Sequence, residues 1–391
     1  MKVLIAVGGG GHFSAAISVI ERMPKEWDIL LVGRKHTFEG DSALSFEYQT
    51  AQRLGIPFAS LTTGRLQRKF TKRTLISLAK MPVGFVQAQK IIREFKPDVV
   101  LSFGGYVSVP VVLAAAMKRL PIVIHEQVLQ GGLANKFAAR FATAVCVSWE
   151  ESKKFFPEEK TIVTGNPLRK EFFLGTEAQN PKTSKKEGNL PVLYVTGGSG
   201  GAHGINVLIE GCLEKLLEKF TVIHQTGDAR EFTDYDRLTK KKAQLQEIMQ
   251  KRYVVRKFFD AEEVMHILSQ ADLIISRSGI NTVTEILYLG KPSLLLPLPY
   301  GQHNEQLTNA QFVKKIGLAE IVHQQEVTPD KLFEKIEAMM SHMEVYTRHK
   351  EAARQVIHRD AAEKILRRPT PNSQQPTAYS FAYSAICFTD Q

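Results

Sequence analysis

Three glycine clusters stand out in the chain: Gly8 to Gly11, the pair Gly104 and Gly105, and the run Gly-Gly-Ser-Gly-Gly at 197–201. The first and the last each follow a short apolar run and precede a helical pattern. Glycines there let backbone N–H groups come close to an anion while the helix N-terminus adds partial positive charge, which makes phosphate the natural ligand. His12 closes the first cluster, and Glu126 stands at the end of another apolar run. Ligands of open α/β sheets gather beyond the carboxyl ends of the strands, and both side chains are candidates for a general base.

Other glycine-loop chemistries fit poorly. Gly-x-Gly-x-x-Gly counted from Gly8 or Gly9 ends on Phe13 or Ser14, and counted from Gly198 it ends on His203. Arg34 and Lys35 stand where the dinucleotide fingerprint wants an acidic ribose partner. No Gly-x-x-x-x-Gly-Lys-Ser/Thr follows either strand. A nicotinamide dehydrogenase and a nucleotide triphosphatase are both disfavoured. Cys146, Cys212 and Cys387 lie far apart with no Cys/His cluster, so neither a disulfide framework nor a zinc site is supported. No metal and no cofactor is expected.

The elements that must position these groups follow a β-α-β-α rhythm. Apolar runs at 3–7, 29–32, 99–103, 122–125 and 144–147 alternate with amphipathic stretches, and the rhythm restarts at 191–196, 220–224, 253–257, 273–276 and 293–296. The expected fold class is α/β, two Rossmann-like domains with parallel sheets. A chain of 391 residues exceeds the roughly 250–300 residues at which single cores split. The expected divisions are 1–164, 165–345, a helix within 346–367 packing back on the first domain, and a disordered tail at 368–391. A Lys-, Asn- and Ser-rich stretch at 175–189 reads as a solvated loop near the junction.

The formal charge of +11 favours an anionic partner. From 65 to 96, Arg and Lys alternate with Leu, Ile, Phe, Met and Val in a pattern suited to an anionic membrane surface. For 83–95 alone, an ordinary helix with its apolar stripe in the core is as good a reading. No apolar run approaches the ~18–20 residues that span a bilayer, and the opening run is too short for a signal peptide. No nucleic-acid module is present, and no nucleic-acid partner is expected.

Taken in order, GGGGH at 8–12, SFGGYVSVPVVLAA at 102–115, IHEQ at 124–127, GNPLR at 165–169, GGSGGAHGIN at 197–206, HQTG at 224–227 and SRSGINTVTEILYLGKPSLLLPLP at 276–299 resemble the MurG family of cell-wall transferases. The likeness runs from residue 1 to about 365. It implies the GT-B arrangement, two domains facing across a cleft, in a metal-independent, inverting glycosyltransferase. The implied donor is UDP-N-acetylglucosamine. The implied acceptor is undecaprenyl-diphospho-muramoyl-pentapeptide, a polyprenyl-diphosphate-linked sugar, met at the cytoplasmic face of the cell membrane by a peripheral protein.

The same resemblance distributes roles. Gly198, Ser199 and Arg169 would hold the diphosphate of the nucleotide sugar, and Glu285 would accept hydrogen bonds from the ribose hydroxyls. Asn281 and Thr282 would lie beside the sugar or phosphates. The Phe259 backbone would read uracil, with Phe258 as packing neighbour. Glu305 and Gln306 occupy positions where the family commonly has two glutamines, facing the sugar. Gly9, Gly10, Gly11, Gly104, Gly105, Tyr106 and Gln127 would line the acceptor site. His12 is the favoured base, with Glu126 the other candidate or a positioning group. Val128 and Gly200 depart from common family residues.

Overall fold

The computed structural model describes residues 1–36, 44–62, 72–177, 190–198, 200–229, 231–299 and 304–367, without the side chains of 72–80 and 174–177. Ser199, the 368–391 tail, most of the 175–189 loop and the densest part of the basic stretch, at 65–71, lie outside the described residues.

Seven strands form the first sheet: β1 Lys2–Ala6, β2 Asp28–Gly33, β3 Phe58–Ser60, β4 Val99–Ser102, β5 Ile122–Glu126, β6 Ala144–Val147 and β7 Thr161–Val163, in the order β3-β2-β1-β4-β5-β6-β7. Six form the second: β8 Val192–Thr196, β9 Thr221–Gln225, β10 Tyr253–Arg256, β11 Leu273–Ser276, β12 Ser293–Leu295 and β13 Ala319–Ile321, in the order β10-β9-β8-β11-β12-β13. Every pairing between these strands is parallel. The central strands are continuous Val, Leu and Ile runs because helices cover both of their faces. In each sheet the order reverses beside the first strand, and the crevice at such a switch point opens at the carboxyl ends.

Glycine sets how closely the loops approach there. A Cβ on Gly8 would lie 2.5 Å from the Gly105 Cα, so the loops after β1 and β4 nest backbone to backbone. Gly104 and Gly105 both hold positive φ, at 87° and 81°, a region open to glycine at little cost. The second domain repeats the device, with Gly201 packed against Thr226 and Gly227.

Two cores tie distant parts of the chain together. Val3, Ile5, Val7 and Phe13 of the first domain are buried with Ala362, Ile365 and Leu366 of the helix Ala361–Leu366, and Arg22 pairs with Glu363 at 2.9 Å. Another core joins Leu129 and Trp149 to Leu168, Phe172, Tyr288 and Val313, with the Trp149 and Phe312 rings edge to face at 5.1 Å. The linker at Gly165, φ 91°, runs against the returning segment, since a Cβ there would meet that of His358 at 2.6 Å.

The helix Lys72–Phe95 buries Ala88 and Ile92 in the core while Val83 and Val86 stay exposed. Its carboxyl-terminal half is thus partly an ordinary packed helix. Among the described residues no helix is long and apolar enough to cross a membrane.

Candidate active site

The first-domain half of the site is assembled at the ends of β1, β4 and β5. His12 sits in the first turn of the helix Gly10–Ile20, half-buried, with the Phe103 carbonyl beside its ring. Burial pulls its imidazole below the usual range, against the opposing pull of Glu126 and Glu47. That direction favours the neutral ring that a general base needs. Its Nδ1 is buried with no partner.

Glu126, the other candidate base or positioning group, is tied into the loop that follows it. It is buried; Oε1 accepts from the Val128 N–H at 3.0 Å, and Oε2 accepts from the Gly132 N–H at 2.7 Å and Asn135 Nδ2 at 3.1 Å. Three donors on one carboxylate make it the anchor of the 127–135 loop, which disfavours proton abstraction by this group. Asn135, which the sequence did not single out, also bonds the His125 carbonyl and fits tightly against Gly104.

Around them lie further buried polar atoms without protein partners: Ser102 Oγ, His125 Nδ1, Gln127 Nε2 and Asn135 Oδ1. Native interiors rarely leave such atoms unpaired, and these four cluster at the ends of β4 and β5 and in the segment that follows. Tyr106 stands at the mouth with the Arg34 guanidinium over its ring at 5.4 Å. A Cβ on Gly11 would meet nothing within 4 Å, and one on Gly9 would reach the Arg34 and Glu47 side chains at 4.0 Å.

The second-domain half is built on β8, β11 and the helix Ile280–Leu289. Gly198, φ 76°, donates its N–H to Thr196 Oγ1 at 3.1 Å and has nothing within 4 Å of an added Cβ. Glu285, one turn inside the helix, faces Arg169 of the linker, Oε1 to Nη2 3.8 Å. Burial pushes its carboxyl up to about 7, against the lowering effect of Arg169. Thr282 is half-buried on the same first turn.

Gln306 Oε1 accepts from the Leu298 N–H at 2.9 Å, and its backbone carbonyl accepts from Ser278 Oγ at 2.6 Å. Glu305 is raised by burial and then by the nearby Glu126 charge, which puts it opposite the first domain. The Phe259 N–H is donated to Gln225 Oε1 at 3.1 Å. Phe258, expected as a packing neighbour, is instead exposed, while Phe259 packs against the core with Arg256 over its ring.

The halves touch. Asn281 Nδ2 donates to the Gly11 carbonyl at 3.0 Å, and Gln130 Nε2 to Thr308 Oγ1 at 2.8 Å. Asn166 of the linker donates to Thr284 Oγ1 at 2.9 Å and Asn281 Oδ1 at 3.4 Å. The loop that bears His12 is thus joined to the helix that bears Glu285, which faces Arg169 of the linker. Among the described residues no group of three or more His, Cys, Asp or Glu could hold a metal ion.

Two parallel Rossmann-like sheets whose carboxyl-end loops meet at the Asn281–Gly11 bond define the GT-B fold. Residues 3–147 match the glycosyltransferase family 28 N-terminal domain and residues 192–365 its C-terminal domain, and the chain belongs to that family. It is 34% identical over 373 residues to the UDP-N-acetylglucosamine--N-acetylmuramyl-(pentapeptide) pyrophosphoryl-undecaprenol N-acetylglucosamine transferase of Thermoanaerobacter sp., covering 94% of this chain and 98% of the relative. Transferase 2 of the same name from Bacillus cereus is 32% identical over 371 residues, with the same coverages. The structure of MurG from Acinetobacter baumannii aligns with a TM-score of 0.67 at 23% identity, over 94% of this chain and 98% of that one. A calicheamicin glycosyltransferase aligns at 0.62 and 14%, over 95% and 99%. These two share the fold.

Proposed function

We propose that the chain transfers N-acetylglucosamine from UDP-N-acetylglucosamine to undecaprenyl-diphospho-muramoyl-pentapeptide, with inversion at the anomeric carbon. The observation that carries the reading is the meeting of His12 and its glycine loop with the helix of Asn281 and Glu285, in a chain whose relatives bear that activity in their names. The acceptor hydroxyl oxygen attacks the anomeric carbon as the bond to the diphosphate oxygen breaks, and UDP leaves. His12 takes the hydroxyl proton. Arg169 and the amides of the 197–201 loop offset charge growing on the diphosphate, and Glu285 holds the ribose.

The acceptor's lipid brings the protein to an anionic membrane surface. Exposed Val83, Val86 and Met117 support this. Purified protein given radiolabelled UDP-N-acetylglucosamine and the lipid-linked muramoyl-pentapeptide in detergent should yield a lipid-linked disaccharide. No product with this pair, alongside product from another nucleotide sugar or lipid acceptor, would replace the substrate assignment.

A further inference from the structure

Gln225 ends β9, between the last residues of its two neighbours: it is in register with Thr196 of β8 on one side and Arg256 of β10 on the other. From each neighbour the chain runs on into a different loop. The one after Thr196 carries Gly198; the one after Arg256 carries Phe259. The buried Gln225 amide reaches both. Its Nε2 donates to Thr196 Oγ1 at 3.3 Å and the Gly198 carbonyl at 3.4 Å, and its Oε1 accepts from the Phe259 N–H at 3.1 Å. A backbone N–H can only donate, which fixes the amide with its oxygen toward Phe259 and its nitrogen toward the glycine loop.

We propose that Gln225 is a positioning residue that braces these two loops at a fixed separation, so that one nucleoside diphosphate is gripped at its base and its diphosphate together. This rests on the donor-site reading above, in which Gly198 meets phosphate and Phe259 the base. The physical content is a chelate effect. Each loop holds its own end of the ligand weakly, and their product is realised only when the separation matches the ligand without further ordering. The bond to Thr196 is buried and those to Gly198 and Phe259 are part-buried, all within the protein, so the separation is set before the ligand arrives. The Gln225 amide touches neither sugar nor reacting atoms and acts through the loops.

Inhibition constants for UDP, uridine and inorganic pyrophosphate, measured on full-length wild type, Gln225→Ala, Gln225→Met and Thr196→Val, test it. The brace predicts that UDP weakens about fivefold to tenfold in each variant, on the scale of one or two buried neutral hydrogen bonds. Uridine and pyrophosphate alone change less than about twofold. Thr196→Val also removes the acceptor of the Gly198 N–H, so joining it to Gln225→Ala loses less than the sum of the two single losses, the Thr196–Gln225 tie being shared. Uridine or pyrophosphate weakening as much as UDP would mean that a loop has simply been damaged, and an unchanged UDP constant would mean that no brace exists. Gln225→Met keeps the side-chain bulk and Thr196→Val cuts the tie from its other end, so a poorly folding alanine variant does not remove the test. If wild type itself fails to bind UDP, the donor-site reading falls first; if wild type binds and the variants match it, only the brace falls.

Discussion

Asn281 Nδ2 lies 3.0 Å from the Gly11 carbonyl, joining the helix that bears Glu285 to the loop that bears His12. The bond joins the two domains, and in the proposed reading it sets how far the nucleotide sugar stands from the acceptor.

Asn281→Ala removes that crossing. A single hydrogen bond of about 0.5–1.5 kcal/mol predicts a turnover loss of roughly twofold to tenfold. Hydrogen–deuterium exchange across 8–12 should rise in the same variant. A normal exchange rate there would show that the bond does not restrain the cleft.

His12→Ala should lower turnover by about 10² to 10⁴, the range of general-base contributions, with the nucleotide-sugar affinity nearly unchanged. The wild-type pH profile gives an independent reading. Because burial lowers the His12 pKa below 6.5, the neutral base persists as pH falls past 6.5, and turnover at saturating substrate should decline only below that. A decline already complete by pH 6.5 would point to another base.

Glu285 carries the opposite shift. Its carboxyl, raised to about 7, ionises as pH climbs through that value, and only the ionised form accepts from both ribose hydroxyls. The KM for UDP-N-acetylglucosamine should therefore fall across pH 6 to 8 in wild type and lose that dependence in Glu285→Gln. Stability runs the other way. A folded pKa above the unfolded one contributes stability that is full below about 4.5 and is lost as pH rises through about 7. The melting temperature of Glu285→Gln should gain on wild type over that window.

Glu126→Ala tests anchor against base. Leaving the Val128, Gly132 and Asn135 donors unsatisfied in a buried loop should cost about 3 kcal/mol or more and lower the melting temperature visibly. Abolished turnover with an unchanged melting temperature would return Glu126 to the chemistry.

Turnover should survive EDTA, because the proposed site gives Arg169 and backbone amides the part of the positive charge facing the diphosphate. Activity lost to EDTA and restored by magnesium or manganese would contradict this.

The central strands were readable in the sequence because each is an unbroken apolar run, and the glycine loops because they punctuate those runs. β3, β7 and β13 escaped notice. Each has three residues at or near a sheet edge, and Phe58–Ser60, Thr161–Val163 and Ala319–Ile321 are only partly buried. Site residues inside motifs, such as His12, Arg169 and Glu285, could be named by resemblance. Asn135, Asn166 and Gln225 could not be given roles, because their partners are close only after the sheets form. Gln225 was visible within HQTG, but nothing in those four letters says that Thr196 and Phe259 flank it. Glu126 shows the converse: a strand-end carboxylate looks available for chemistry until three loop donors are found on it.

The helix Ala361–Leu366 completes the core around β1. During synthesis, then, the first sheet emerges from the ribosome long before the residues that seal its apolar face. Strands β1, β2 and β4 must wait, with Val3, Ile5 and Phe13 incompletely covered, until almost all of the second domain has been made. The order of birth and the order of completion are reversed for this domain. The interval is a window in which chaperones would find their target on the amino-terminal half of the chain.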